Sequence, residues 1–287
     1  MKNNPLPARE WGERIVLALL FAAVGSLIYI VFSPLRPLLD KGTDYLGRIV
    51  VILLLMVAVL LVRRRKSLEK YWQIINGFLI MAIVVSLDWV FANYLIDHLG
   101  VNGTTPVSYA LLKLNEFAVV ASVVISITLL SGGSLGSIYI QKGNLKLGLF
   151  IGIITFFIAA AGSIPMASLF AARNLSVARI LPWLPWVLIF VLANAAQEEL
   201  LFRGLFLRKL QPFFGKFMSN FLIAFVFTLM HGSVTYTVNN YIFLVILFPL
   251  AIAWGYVMQK TDSIWGSILF HAGMDIPILL GIFSNMT

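Results

Sequence analysis

Residues 46–66 read LGRIVVILLLMVAVLLVRRRK. From Leu46 to Val62 the run is almost wholly apolar, and it then breaks into Arg63, Arg64, Arg65 and Lys66. A helix on a soluble core keeps a polar face, whereas a helix in hydrocarbon needs about 20 mostly apolar residues. Basic residues collect at the cytoplasmic end of such helices. The stretch therefore predicts a membrane-spanning helix with its Arg63–Lys66 end in the cytoplasm.

The rest of the chain repeats this pattern. Of 287 residues, 60% are hydrophobic and 11% charged, against about 25% charged in an ordinary soluble domain. Further apolar runs cover about Ile15–Phe32, Ile74–Ile96, Phe117–Leu130, Leu147–Ile164, Leu181–Ala196, Ser219–Thr235, Tyr241–Met258 and Ser263–Phe283. They lack strand-like alternation, and lipid admits only helices and closed barrels. The expected fold is all-α, a polytopic transmembrane helix bundle of eight or nine spans. The first run is too long for a signal-peptide core and has no A-x-A cleavage site, so it counts as a span.

The net charge of +9 belongs to membrane flanks rather than to nucleic-acid binding, because the basic residues lie between apolar runs. With nine spans and a cytoplasmic N-terminus, that side holds Lys2, Arg9, Arg14, Arg63, Arg64, Arg65, Lys66, Lys70, Lys142, Lys146, Arg203, Arg208, Lys209, Lys216 and Lys260. The other side holds only Arg36, Lys41, Arg48, Lys113, Arg173 and Arg179. The absence of cysteine excludes disulfides and thiolate metal sites. The Gly- and Ser-rich stretch Ser131–Asn144 reads as a loop. It divides N-terminal helices of unassigned role (1–145) from a C-terminal unit (146–287).

Ionisable groups inside spans are costly and mark function. Here they are Asp88, Glu198, Glu199, His231, His271 and Asp275, concentrated in the last third of the chain. In Asn194-Ala-Ala-Gln-Glu-Glu-Leu-Leu-Phe-Arg203, Glu199 and Arg203 are four apart and share a helix face, as an ion pair requires. Glu198 points about 100° away, with no partner at helical spacing. A carboxylate without an ion-pair partner in a low-dielectric site suits a general base that takes a proton from water. The spacing also expects the helix to end near Glu198 at the cytoplasmic interface, with His231 and His271 deeper. His271 and Asp275 lie one turn apart, so Asp275 could orient His271 or complete a metal site. Taken singly, each feature could be a structural hydrogen bond between helices. Together they point to chemistry.

Glu198-Glu199-x-x-x-Arg203, Phe227-x-x-x-His231 and His271-x-x-x-Asp275, in that order on successive apolar helices, resemble the motifs of the CPBP family of CAAX proteases and bacteriocin-processing (Abi) proteins. That family is related to the type II CAAX prenyl endopeptidases. The resemblance covers about residues 180–287. It implies an intramembrane glutamate-dependent endopeptidase with a cavity open to the cytosol, in a bacterial cell membrane, acting on membrane-delivered peptides or proteins without cofactor or metal. Glu198 would activate water with His231 as its partner, Glu199 and Arg203 would support it, and His271 with residue 275 would stabilise the oxyanion. The family commonly carries Asn at the last position, and an ionised Asp275 cannot donate to an oxyanion. Other readings are a zinc site built from the same residues, although no H-E-x-x-H is present, and a non-catalytic membrane immunity or scaffold protein. A transporter relaying protons through the Glu and His residues is the remaining alternative.

Overall fold

A computed structural model of the chain describes residues 8–32, 38–101 and 103–286. Lys2 and Arg36 of the charge pattern lie outside these residues, as does the side chain of Arg9. The helices are α1 (Ala8–Ser26), continued by a π-helical turn Leu27–Val31, α2 (Lys41–Arg64), α3 (Trp72–Phe91) and the short α4 (Tyr94–His98). Then follow α5 (Pro106–Leu130), α6 (Leu145–Met166), the short α7 (Val177–Ile180), α8 (Leu184–Glu198), a π-helical segment Glu199–Gly204, α9 (Leu205–Met230), α10 (Asn240–Thr261) and α11 (Trp265–Ser284). No strand occurs among the described residues.

Eight helical stretches are long and apolar enough to cross a membrane. One of them, Val177–Ser233, has 57 residues, far more than a span requires. The chain reverses inside it. At Gly215 the backbone adopts φ 71°, ψ 178°, a region that glycine enters without steric cost. In a straight helix Arg203 and Phe227 would be about 36 Å apart, yet the Arg203 guanidinium stands 4.8 Å from the Phe227 ring. The stretch is thus a helical hairpin, and its two legs contain the runs expected at Leu181–Ala196 and Ser219–Thr235.

Contacts between connections define the two ends of the bundle. At one end Lys70 pairs with Glu13, Tyr71 stacks on Phe213, Arg208 pairs with Asp262 and the Asn144 N–H donates to the Thr261 carbonyl. At the other, Val238 N–H donates to Leu169 O, Tyr109 meets Phe283 and Arg179 donates to Ser284 O. Arg14, Arg63–Lys66, Lys142, Lys146 and Lys260 lie at the first end. The first and last described helical residues therefore sit at opposite ends.

Three basic residues assigned to loops from the sequence are inside the bundle instead. Arg48 is buried; it pairs with Asp44 at 2.7 Å and donates to the Phe32 and Val85 carbonyls. Lys113 lies on α5, which starts earlier than the expected Phe117 because Thr105 and Ser108 form a capping box ahead of Pro106. Arg203 is fully buried. Lys113 and Arg203 fell outside the expected runs and Arg48 within one; in each case a carboxylate three or four residues away neutralises the charge, so the helix continues through it.

The sequence also placed a helix end at Glu198. The helix runs on through the π-helical segment, every residue of which is buried, and reaches Gly215 before turning. Glu198 is therefore not shallower than the histidines. The Ser131–Asn144 connection does form a loop with a 3₁₀ turn at Leu135–Ile138, and its Ile138 and Tyr139 are buried in the core.

Helix α11 is the centre of the bundle: 67% of its apolar window is enclosed, against 11% for α2. It crosses α6 with backbones in contact, since a Cβ on Gly152 would stand 2.8 Å from the Gly266 carbonyl oxygen. Membrane helices associate through such small-residue contacts. A Gly266→Val substitution forces the two helices apart and is expected to destabilise the protein by about 1–3 kcal/mol, measured as a lowered melting temperature in detergent. An unchanged melting temperature would contradict this crossing.

Candidate active site

The deepest polar element is an ion pair. Arg203 Nη1 lies 2.6 Å from Glu199 Oε1, and both side chains are 0% exposed. The π-helical segment places both on the face turned to α10 and α11. Arg203 Nη2 also donates to the Ala251 carbonyl at 3.0 Å, and its guanidinium lies over the rings of Phe227 and Trp254. Arg203 Nε and the Trp254 indole nitrogen have no hydrogen-bond partner. Glu199 is further held by Ser267, whose hydroxyl is 2.6 Å from Oε2.

The same carboxylate fixes His271. Its Nδ1 is 2.9 Å from Glu199 Oε1, so Nδ1 carries the proton and donates. The ring lies 3.7 Å from the Trp254 ring at 9°, which leaves it no freedom to rotate. Nε2 then projects between two carboxylates, with Glu198 Oε2 at 3.5 Å and Asp275 Oδ1 at 3.7 Å. These are ion-pair distances rather than hydrogen bonds. The carboxylate that orients His271 is thus Glu199, and Asp275 stands on the opposite edge of the ring. Asp275 is itself held by Asn194, whose amide donates to Oδ2 at 2.9 Å.

Glu198 differs from its neighbour in access: its side chain is 15% exposed, against 0% for Glu199. It faces Nε2 of His271, as the sequence did not anticipate. His231 is less central than expected. Its Nδ1 bonds to the Phe227 carbonyl of its own helix at 2.8 Å, and its ring packs on Phe227. Among the described residues it forms no ion pair with Glu198, although it lies within Coulombic range of His271 and Asp275. Glu198, Glu199, Arg203, His271 and Asp275 therefore come together directly, with His231 beside them.

Several neighbours escaped the sequence reading. Trp254, Ser267 and Ala251 reach the cluster only through helix packing. Tyr236, in the loop after His231, is part-buried; burial and then the charges of Glu198 and Asp275 push its phenol well above its ordinary value, so it remains a hydroxyl donor. Lys113, Glu116 and Gln197 form a part-buried chain behind Glu198: Glu116 Oε2 is 2.5 Å from Lys113 Nζ and 2.9 Å from Gln197 Nε2. Asp88, whose role the sequence left open, has an Oδ1 with no hydrogen-bond partner among the described residues.

A cavity of about 310 Å³ reaches Asp275. Its wall is apolar, with Phe170, Phe243, Leu250, Trp254 and Met274. It runs between the turn after α6 and the first half of α10, towards the end opposite Arg63–Lys66. Among the described residues no group of three His, Asp or Glu side chains is arranged to hold a metal ion.

A bundle of apolar helices enclosing two adjacent glutamates, an oriented histidine and an aspartate belongs to the class of membrane proteins with an embedded polar site. Residues 180–277 match the family model described as type II CAAX prenyl endopeptidase Rce1-like. The match spans all six expected site residues and agrees with the resemblance that its motifs carry. No curated protein and no solved structure matches the chain. Helices α1–α6 lie outside the matched segment.

Arg203→Met would leave Glu199 charged and unpaired in the core. It is expected to cost about 3–5 kcal/mol of stability, seen as a fall in melting temperature in detergent. The double variant Glu199→Gln with Arg203→Met removes both charges and should recover much of that loss. A double variant no more stable than Arg203→Met would argue against the pairing.

Proposed function

We propose that the protein is an intramembrane endopeptidase in which Glu198 activates water against a peptide carbonyl. The observation that carries this reading is the division of labour between adjacent glutamates. Glu199 is sealed and committed to Arg203, Ser267 and His271, whereas Glu198 is partly exposed and stands beside Nε2 of the oriented imidazole.

The chemistry follows from these positions. Glu198 takes a proton from water, and the hydroxide oxygen bonds to the carbonyl carbon as the C=O π pair moves onto oxygen. His271, when protonated at Nε2, donates to that oxyanion. Collapse of the tetrahedral species re-forms the carbonyl and breaks the C–N bond, and the proton held by Glu198 passes to the departing amine. Asp275, held by Asn194, flanks the donating Nε2 edge of the imidazole at 3.7 Å. The bond from His231 Nδ1–H to the Phe227 carbonyl leaves Nε2 as the nitrogen open to a proton, and His231 supports proton transfer. The scheme uses no metal. Substrates are peptide or protein segments delivered at the membrane, and the apolar cavity wall suits their entry from the lipid. The N-terminus is assigned to the cytoplasm from the basic end of the bundle.

Glu198→Gln is isosteric and removes the base. It is expected to lower kcat for a reporter peptide by about 10²–10⁴-fold with little change in melting temperature. Cleavage at the wild-type rate would overturn the assignment and favour a non-catalytic or transport role. Inactivation of the wild type by a chelator, reversed by zinc, would replace the metal-free scheme with a metal-assisted one. Asp275→Asn keeps the shape of the side chain and supplies an amide donor; cleavage should persist within about tenfold, whereas Asp275→Leu should lose it. Equal loss in both would show that the carboxylate charge itself is required.

A further inference from the structure

Helix α5 lies outside the family-matched segment, yet it inserts two charged side chains behind the site. Lys113 Nζ and Glu116 Oε2 are 2.5 Å apart, with side chains only 22% and 16% exposed. Gln197 donates to the same Glu116 oxygen at 2.9 Å and immediately precedes Glu198 in α8. Glu116 thus ties the α5 lysine to the backbone turn that presents Glu198. The Lys113 charge interacts with those of Glu198 and Asp88 across this interface.

The charges around the site make the need explicit. Arg203 is consumed by Glu199. On the α5 side stand Glu198, Glu116 and Asp88, the last with an oxygen that has no hydrogen-bond partner among the described residues; His271 faces Glu198 from α11 and Arg48 acts on Asp88, and Lys113 is the cation on α5 whose charge reaches all three. An ammonium that served only to neutralise Glu116 could be replaced, with Glu116, by apolar residues at no functional cost. One placed for Glu198 could not. We propose that Lys113, held by Glu116 and Gln197, is a positioning residue for hydrolysis: through that chain it sets the turn that presents Glu198 and adds positive charge behind it, on the side opposite His271. This rests on the reading of Glu198 as the general base.

The test compares Lys113→Met and Lys113→Arg in the full chain in detergent. Lys113→Met is expected to lower kcat for a reporter peptide by about tenfold to a hundredfold, the scale of one partly screened charge interaction, with KM within about twofold. Lys113→Arg, which retains the charge, should restore most of kcat. A second measurement does not depend on turnover. Lys113→Met should lower the melting temperature in the wild-type background and lower it clearly less in the Glu198→Gln background, because the charge it compensates is then gone. Wild-type kcat in Lys113→Met, or an equal melting-temperature loss in both backgrounds, would reduce Lys113 to a structural partner of Glu116 and overturn the proposal. Should Lys113→Met not fold, Lys113→Gln carries the same comparison. Failure of the underlying reading has a different signature: Glu198→Gln cleaves as well as wild type while the melting-temperature coupling persists.

Discussion

The Glu199–Arg203 pair is the constraint on which the site depends. Two charges with no solvent contact are tolerable only when each finds nearly all its partners inside the protein. Here Arg203 requires the Ala251 carbonyl and two aromatic faces, and Glu199 requires Ser267 and His271. These needs draw α9, α10 and α11 around the π-helical segment. The orientation of the imidazole is a by-product of neutralising a carboxylate, and Trp254 completes it by covering one face of the ring. Position in this site is therefore set by electrostatic necessity more than by shape.

The helical spans were legible because lipid imposes a simple rule on sequence: long apolar runs with polar ends. The same rule fails where a charge is buried and paired. Lys113 and Arg203 look like span ends to a hydropathy reading and Arg48 like a flanking charge, yet Asp44, Glu116 and Glu199 lie three or four residues from them and keep each helix intact. The spacing identified the Glu199–Arg203 pair and singled out Glu198, both from one turn of helix. What spacing could not supply was anything formed between distant segments. Asn194 bonding Asp275, Ser267 bonding Glu199 and Trp254 covering His271 join residues 17 to 81 positions apart, and no local pattern encodes such meetings. The reversal at Gly215 left a trace only as one glycine after Pro212 and two phenylalanines.

The N-terminal helices are more than a lipid-facing jacket. α1 packs Phe21 against Phe78 and Phe206, and Tyr29 stacks on Phe202 at 4.5 Å, one residue from Arg203. α5 presses the Lys113–Glu116 pair against α8. The matched segment thus closes its site with side chains from both parts of the chain, and its inner surface is continuous with the core formed by the preceding helices.

The hairpin around Gly215 bears on how the chain enters the bilayer during synthesis. Arg203 and Glu199 are neighbours within a single helical turn, so their charges cancel as soon as that turn forms, before α10 and α11 have left the ribosome. A partner located on a later helix would leave a naked charge in hydrocarbon for as long as translation of the intervening residues takes. The two costliest side chains of that leg thereby enter lipid as a neutral pair, and the histidine and the aspartate arrive afterwards at a carboxylate already in place.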